Sequence, residues 1–458
     1  MTEIREDIIA HSKTSHALYD ERPDWLKDRL NWFMDQRFGL FIHWGPYCQW
    51  DCYESWPLSP GDQWARRDYF KCWTERGKDL AQFTRDYWNL NRTFNPIQFD
   101  PDTWAGLASD AGMRYVAFTA KHVDGFSMFD TAATNYRVTH QDCPFNNHPR
   151  ANIVREVFNA FRAKNLAISC YFAKPDWHSP YYWSPDSPAV DRNPNFDTYT
   201  NPQRWAKYVA FVHQQVEELM TQYGNIDVLW LDGGWVHPPD QDIQMAKLAA
   251  MARSHQPGLI IADRTVGGIY EDFITPEQDI PDELLMVPWE SCMTLGDYWK
   301  YVPDDQYKSP RAVIDMLVEI AAKGGNLLLG IGPDPQGNIP LQAETCLRQV
   351  GKWLAINGEA IHGTRPVAPY KSQNVFFTSN PPYIYAIIRK LTEQQLHTRQ
   401  VIIEGIRPQP GSQVNVLGVL GAVKWQQIDH GFSVELPKMS VTDEHGWVVQ
   451  FCKSEMAS

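Results

Sequence analysis

The sequence predicts an α/β fold: an irregular (β/α)8 barrel over residues 1–365, followed by an antiparallel β-sandwich over residues 366–458. Three observations carry this. Apolar runs that end in polar residues recur along the first part of the chain. Stretches of helical periodicity separate them. After Pro366 the texture changes to short, partly alternating runs divided by turn residues.

Taken in order, the spacing predicts strands over residues 38–45, 113–122, 166–172, 226–233, 259–264, 284–290 and 326–333. The clearest helix is 202–223, where Pro202 opens a stripe of Trp205, Tyr208, Val209, Val212, Val216, Leu219 and Met220. Others are expected over 101–111, 150–164, 242–254 and 310–323, the last starting on Pro310 and stopping at Gly324-Gly325. Strand–helix alternation sustained over roughly 300 residues predicts a parallel sheet closed into a barrel. No eighth strand is evident, hence an irregular barrel. The segments 46–100, with Trp50, Trp56, Trp64, Trp73 and Trp88, and 174–201 are too long for simple connections and are expected over the barrel mouth. Strands of the sandwich are expected at 375–378, 383–388, 400–403, 414–417, 432–436 and 447–451, with no helix among them.

Composition narrows the function. A chain with 43% hydrophobic and 21% charged residues is globular rather than disordered. A net charge of −13 argues against a nucleic-acid partner. The first residues, with Glu3, Arg5, Glu6, Asp7, His11 and Lys13, contain no apolar core of a signal peptide, and no run is long enough to span a membrane. The eight Cys lack metal-ligand or disulfide-framework spacing, so reduced thiols and a cytoplasmic location are expected. Nineteen Trp and 20 Tyr supply more aromatic surface than a core of this size requires, which suits stacking against the C–H face of a pyranose.

Polar chemistry gathers at the proposed strand ends: His43, His122, Tyr171, Asp232, Arg264 and Glu290, with Glu277 in the loop between the last two. In an α/β barrel that face is the active face. Any one of these residues reads as a helix cap or an ion-pair partner; seven on one face do not read as packing. A metal site would want His-x-His or closely spaced His and carboxylates, and neither His43 nor His122 has one, so no metal is expected. Pro333 removes a backbone donor from Gly330-Ile331-Gly332-Pro333, which disfavours a phosphate loop. Two carboxylates flanking a sugar bond, with His and Arg on the ring hydroxyls and Trp stacking, fit better.

Ordered motifs sharpen this: Phe38-Gly39-Leu40-Phe41-Ile42-His43-Trp44-Gly45, Lys121-His122-Val123-Asp124-Gly125-Phe126, Leu229-Trp230-Leu231-Asp232-Gly233-Gly234, Asp263-Arg264, Trp289-Glu290, and Asn326 to Pro333 continuing through Gly337-Asn338-Ile339-Pro340. Together, over roughly residues 30–365, they resemble glycoside hydrolase family 29, the α-L-fucosidases. The resemblance implies an exo-acting retaining glycosidase with Asp232 as nucleophile and no cofactor. It implies that His43, His122, Tyr171, Trp230 and Arg264 contact the fucose, and that Glu54 and Trp56, separated by Ser55, match a Glu/Trp pair on the first loop. Glu277 and Glu290 match two alternative placements of the acid/base, and Glu277 is preferred. The family usually shows two adjacent histidines before Asp-Gly-Phe; Val123 in place of the second implies a hydroxyl contact that is absent or supplied elsewhere. The expected substrate is a fucosylated oligosaccharide or glycoconjugate. The alternatives are a related sugar cleaved by the same mechanism, or a carbohydrate-binding protein that kept the pocket without turnover.

Overall fold

In the computed structural model, which describes residues 19–437 and 445–452, the N-terminal apolar runs form one parallel sheet. Strands β1 (Phe38–Ile42), β2 (Tyr115–Lys121), β3 (Ala167–Ala173), β4 (Val228–Asp232), β5 (Ile260–Asp263), β6 (Glu290–Thr294) and β7 (Asn326–Ile331) pair in the order β5-β4-β3-β2-β1-β7-β6. β1 lies between β2 and β7, with Leu40 level with Val116 on one side and Leu329 on the other. Helices Pro101–Asp110, Ile153–Ala163, Pro202–Gln222, Met245–His255 and Pro310–Ala322 connect the strands close to their predicted spans. Covered on both faces, β1, β2 and β7 are buried along their whole length, which is why they appear in the sequence as unbroken apolar runs. The long insertion after β1 is built of short helical turns over the barrel mouth, and the insertion after β3 runs beside it.

The eighth position of the wall is filled without a strand. Residues 270–278 first meet β5 antiparallel, through the Ala262–Glu271 bridge, and then run parallel beside β6, through the Ile274–Trp289 and Glu277–Cys292 bridges. Pro276 lacks an N–H and cannot extend a ladder, but its carbonyl accepts from the N–H of Cys292 at 3.0 Å. This irregular segment carries Glu277.

The predicted strand over 284–290 is displaced. The strand is Glu290–Thr294, and the apolar run before it lies outside the wall, with Leu284 38% and Met286 69% exposed. Pro281 and Pro288 bracket that run and keep it from pairing. Glu290 is therefore the first residue of β6, not the last, and it points into the barrel well below the mouth, where it reaches Tyr115 at the start of β2.

The C-terminal region forms two antiparallel sheets, a five-stranded one from β8 (Arg365–Ser372), β9 (Val375–Asn380), β10 (Tyr383–Ile388), β12 (Val414–Val416) and β15 (Trp447–Cys452), and a three-stranded one from β11 (Gln400–Glu404), β13 (Trp425–Ile428) and β14 (Gly431–Glu435). Strand alternation splits their side chains: Val375 and Phe377 enter the sandwich core, whereas Phe376 packs against the barrel core. Arg389 ties the two together through Asp315 (3.0 Å) and Glu319 (3.1 Å) on a barrel helix. Contrary to expectation the region contains a helix, Glu393–Thr398, which a Thr392/Gln395 capping box starts and which is too short to show periodicity. The charged N-terminal stretch up to Lys13 lies outside the described residues. No helix among the described residues is long and apolar enough to cross a membrane.

Candidate active site

Asp232 is the last residue of β4, and the two glycines after it set the geometry around it. Gly233 adopts φ +89°, and a Cβ on Gly234 would fall 1.6 Å from Oγ1 of Thr265. The chain leaving β4 thus presses against the chain leaving β5, bringing Arg264 alongside the carboxylate. Nη1 of Arg264 donates to Oδ1 of Asp232 at 3.1 Å, and the hydroxyl of Tyr171, on β3, donates to Oδ2 at 2.6 Å. Burial pushes the Asp232 carboxyl upward, but the guanidinium, the Tyr171 hydroxyl, the Gly233 N–H and His122 outweigh it and hold the group at about 2. Asp232 is an anion at any physiological pH.

The same guanidinium reaches a second carboxylate: Nη2 of Arg264 donates to Oε2 of Glu277. On the other side, Nε1 of Trp299 donates to Oε1 of Glu277 at 3.3 Å. The Glu277 side chain is 30% exposed against 16% for Asp232, so one carboxylate sits deeper and the other nearer the opening. Thr275 fixes Arg264 from behind, accepting from Nε at 3.1 Å, and the Trp230 indole lies 4.8 Å beneath the guanidinium and 5.2 Å from the Tyr171 ring.

Two histidines complete the floor. His43 and His122, just past the ends of β1 and β2, lie 4.9 Å apart centroid to centroid, and His122 stacks near Tyr171 at 6.2 Å. Burial lowers both, His43 well below its usual range and His122 to about 4, with Asp232 opposing the shift only in part. Both are neutral imidazoles at pH 7, each able to donate to one hydroxyl and accept from another. Ser55 binds Nδ1 of His122, whereas both ring nitrogens of His43 are buried without a partner among the described residues. Glu54 is fully buried. Burial raises its carboxyl to about 7 against the pull of Lys300, whose N–H reaches Oε1 at 3.3 Å, while Oε2 has no partner among the described residues. Buried polar atoms are seldom left unpaired, and hydroxyl groups of a sugar are suited to these. Trp56 is half-buried at the rim, edge-on to His122 at 6.1 Å.

Of the residues singled out in the sequence, His43, Glu54, Trp56, His122, Tyr171, Trp230, Asp232, Arg264 and Glu277 thus lie around one cleft. Glu290 does not reach it. Its Oε1 accepts from Nε1 of Trp230 at 3.1 Å and its Oε2 from the hydroxyl of Tyr115 at 2.6 Å, beneath the indole. Burial raises its carboxyl to about 7, although both donors and Arg264 lower it. Sequence reasoning missed Trp299 and the support that Lys300 gives Glu54. Both belong to a stretch after β6 with neither strand nor helix periodicity; the adjacent Tyr298-Trp299-Lys300 was the available signal.

Comparison with known proteins gives the family. A sequence model of the family described as alpha-L-fucosidase matches residues 8–359. Tissue alpha-L-fucosidase of Homo sapiens is 28% identical over 463 residues, covering 93% of this chain and 91% of that protein. Plasma alpha-L-fucosidase of Rattus norvegicus is 29% identical over 451 residues, covering 91% and 90%. Among solved structures, alpha-L-fucosidase isoenzyme 1 from Paenibacillus thiaminolyticus superposes with a TM-score of 0.76 at 30% identity, covering 94% of this chain and all (100%) of that one. Thermotoga maritima alpha-fucosidase in complex with fucose shares the fold, with a TM-score of 0.74 at 24% identity and coverage of 94% and 99%. With a barrel whose mouth gathers two carboxylates, two histidines and an arginine, and with a family match over most of its length, this chain belongs to the alpha-L-fucosidase family of glycoside hydrolases.

Proposed function

We propose that the protein removes terminal α-L-fucosyl residues from oligosaccharides or glycoconjugates with retention of configuration, Asp232 acting as nucleophile and Glu277 as acid/base. The observation that carries this is Arg264 bridging the two carboxylates. Carboxylates that share one guanidinium suit the short separation of retaining sites, about 5–5.5 Å, better than the about 6.5–9.5 Å that inverting sites leave for a water.

The chemistry follows from the placement of charge. Asp232 is ionised and relieved of protons by Arg264 and Tyr171, so its free oxygen lone pairs attack the anomeric carbon. As the C–O bond to the leaving group breaks, Glu277 gives that oxygen its proton, and a fucosyl ester forms on Asp232. Glu277, now a carboxylate, takes a proton from water; the water oxygen attacks the anomeric carbon and the ester bond breaks, restoring Asp232. His43, His122 and Glu54 hold the ring hydroxyls, and Trp230 and Trp56 bound the apolar face. Glu290 takes no proton-transfer role in this scheme. The eight unpaired cysteines, most of them buried, favour a reducing compartment such as the cytoplasm.

The test is Asp232→Ala with an aryl α-L-fucoside. Turnover is expected to vanish, and added azide is expected to restore it and give the inverted β-fucosyl azide, since one displacement then remains. Activity near that of the unaltered protein would overturn the assignment.

A further inference from the structure

We propose that a row of half-buried aromatic rings at the cleft rim, centred on Tyr53, Trp64 and Tyr298, binds the leaving portion of the substrate as a pyranose; this rests on the reading above. The rings touch in sequence. Trp235 lies 6.0 Å from Trp56, Trp56 lies 5.9 Å from Trp64, Trp64 lies 4.9 Å from Tyr53, and Tyr53 lies 5.7 Å from Tyr298. Tyr298 precedes Trp299, whose indole holds Glu277. One end of the row follows Asp232 by three residues, and the other is next in sequence to Trp299, which donates to Glu277, so the row runs from the Asp232 side of the cleft towards the Glu277 side.

Core packing alone does not account for these rings. Trp44 and Trp289, which do serve the core, are 1% and 0% exposed, whereas every ring of the row keeps part of its surface open. The row is also set in place in advance. Asp62 accepts from Nε1 of Trp64 at 2.9 Å and from Nη2 of Arg192 at 2.5 Å, and the Arg192 guanidinium lies 5.0 Å from the Trp56 ring and 5.1 Å from Trp235. Its outer end reaches the surface through Phe70, 6.1 Å from Tyr298, to Tyr69, which is 65% exposed.

The direction of the chemistry selects the occupant. The oxygen that receives a proton from Glu277 carries the leaving group, and Glu277 is the more exposed of the two carboxylates, so that group emerges on the Glu277 side of the cleft. There it meets Trp299, Tyr298 and Tyr53. Aromatic faces suit the axial C–H face of a hexopyranose, and the two phenol hydroxyls suit its equatorial hydroxyls. A leaving group without a ring gains nothing from the row.

Comparing two substrates that share the fucosyl part separates the roles. α-L-Fucosyl fluoride offers a leaving group of one atom; an α-L-fucosyl-hexose disaccharide offers a pyranose. For Tyr298→Ala, and separately for Trp64→Leu, kcat/KM on the disaccharide is expected to fall at least tenfold more than kcat/KM on the fluoride. Activity on the fluoride reports at the same time that each variant is folded. Equal losses on the two substrates, or no loss on the disaccharide, would overturn the proposal. If the unaltered protein fails to hydrolyse fucosyl fluoride, it is the fucosidase reading that fails; if it hydrolyses the fluoride and the variants do not discriminate, the aromatic row alone is refuted.

Discussion

Trp230 donates its indole N–H to Oε1 of Glu290 across 3.1 Å, and this bond sets the floor of the cleft from below. The opposite side of the same indole system meets the Arg264 guanidinium at 4.8 Å and the Tyr171 ring at 5.2 Å, the two groups that bind Asp232. Glu290 thus supports Trp230 from beneath the cleft.

The first prediction follows from that role. Glu290→Gln retains an acceptor for the indole, so kcat is expected to fall by less than about tenfold, and equally on aryl and natural fucosides, because hydrogen bonds of this kind contribute about 1 kcal/mol. Glu290→Ala leaves the Trp230 N–H and the Tyr115 hydroxyl unpaired and is expected to lower stability by about 1–3 kcal/mol for each, read from denaturant unfolding. An α-configured azide product from Glu290→Gln in the presence of azide would assign the acid/base role to Glu290 instead.

Glu277→Gln is expected to behave otherwise. A lost general acid is felt most when the leaving group is basic. Activity on natural oligosaccharides is expected to fall by about 10²–10⁴-fold, with a much smaller loss in the first step on a nitrophenyl fucoside. Product analysis with azide should give the retained α-fucosyl azide.

The pH profile tests the Tyr171–Asp232 bond. Burial raises the Asp232 carboxyl while Arg264 first, and Tyr171 next, lower it, for a net position of about 2. A donor to the ionised form favours ionisation, so removing it moves the midpoint up. At about 1.5–3 kcal/mol for a bond to a charged group and about 1.4 kcal/mol per pH unit, the acid limb of kcat/KM is expected to rise by about 1–2 units in Tyr171→Phe. Folding follows the same sign. A lowered carboxyl stabilises the fold above its ordinary value of 3.8, and that contribution is lost as pH falls through about 2. Tyr171→Phe is expected to reduce acid resistance, measured by unfolding between pH 2 and 5.

Val123 carries the fourth prediction. Its side chain is 0% exposed, and its carbonyl accepts from the Trp177 N–H at 2.8 Å, which ties the chain after β2 to the insertion after β3. An imidazole in that packed position adds volume. Val123→His is expected to destabilise by about 1–3 kcal/mol and to leave the ranking of deoxy and epimeric glycosides unchanged. A gain in kcat/KM for the fucoside would show instead that a hydroxyl contact had been missing.

The sequence disclosed much of the site because β1 to β5 are buried on both faces: each appears as an apolar run, and the first polar residue after the run marks its mouth end. His43, His122, Asp232 and Arg264 were legible for this reason. Glu290 was misplaced because the run 284–287 looks like a strand, whereas the true β6, Glu-Ser-Cys-Met-Thr, hides its burial behind polar side chains, Glu290 bonding Tyr115 inside the barrel and Ser291 bonding the Asp279 carbonyl on the other face. Trp299 and Lys300 left only the weak signal of adjacent aromatic and basic residues. Their loop has no period, and their partners Glu277 and Glu54 are distant in sequence. The helix at 393–398 was missed because a capping box is a local signal that a search for alternation passes over.

The two carboxylates that share Arg264 are held by backbones of different kinds. Asp232 ends a laddered strand, where a shift of one residue would turn it to the wrong face of the sheet. Glu277 hangs on a segment interrupted by Pro276 and held by isolated bridges and by the buried side chains of Asp272 and Thr275, so its place rests on tertiary contacts and not on a ladder. Substitutions in this segment can therefore move Glu277 without changing the register of the β4 ladder. For laboratory evolution of new leaving-group preference, this stretch offers latitude that the Asp232 strand denies.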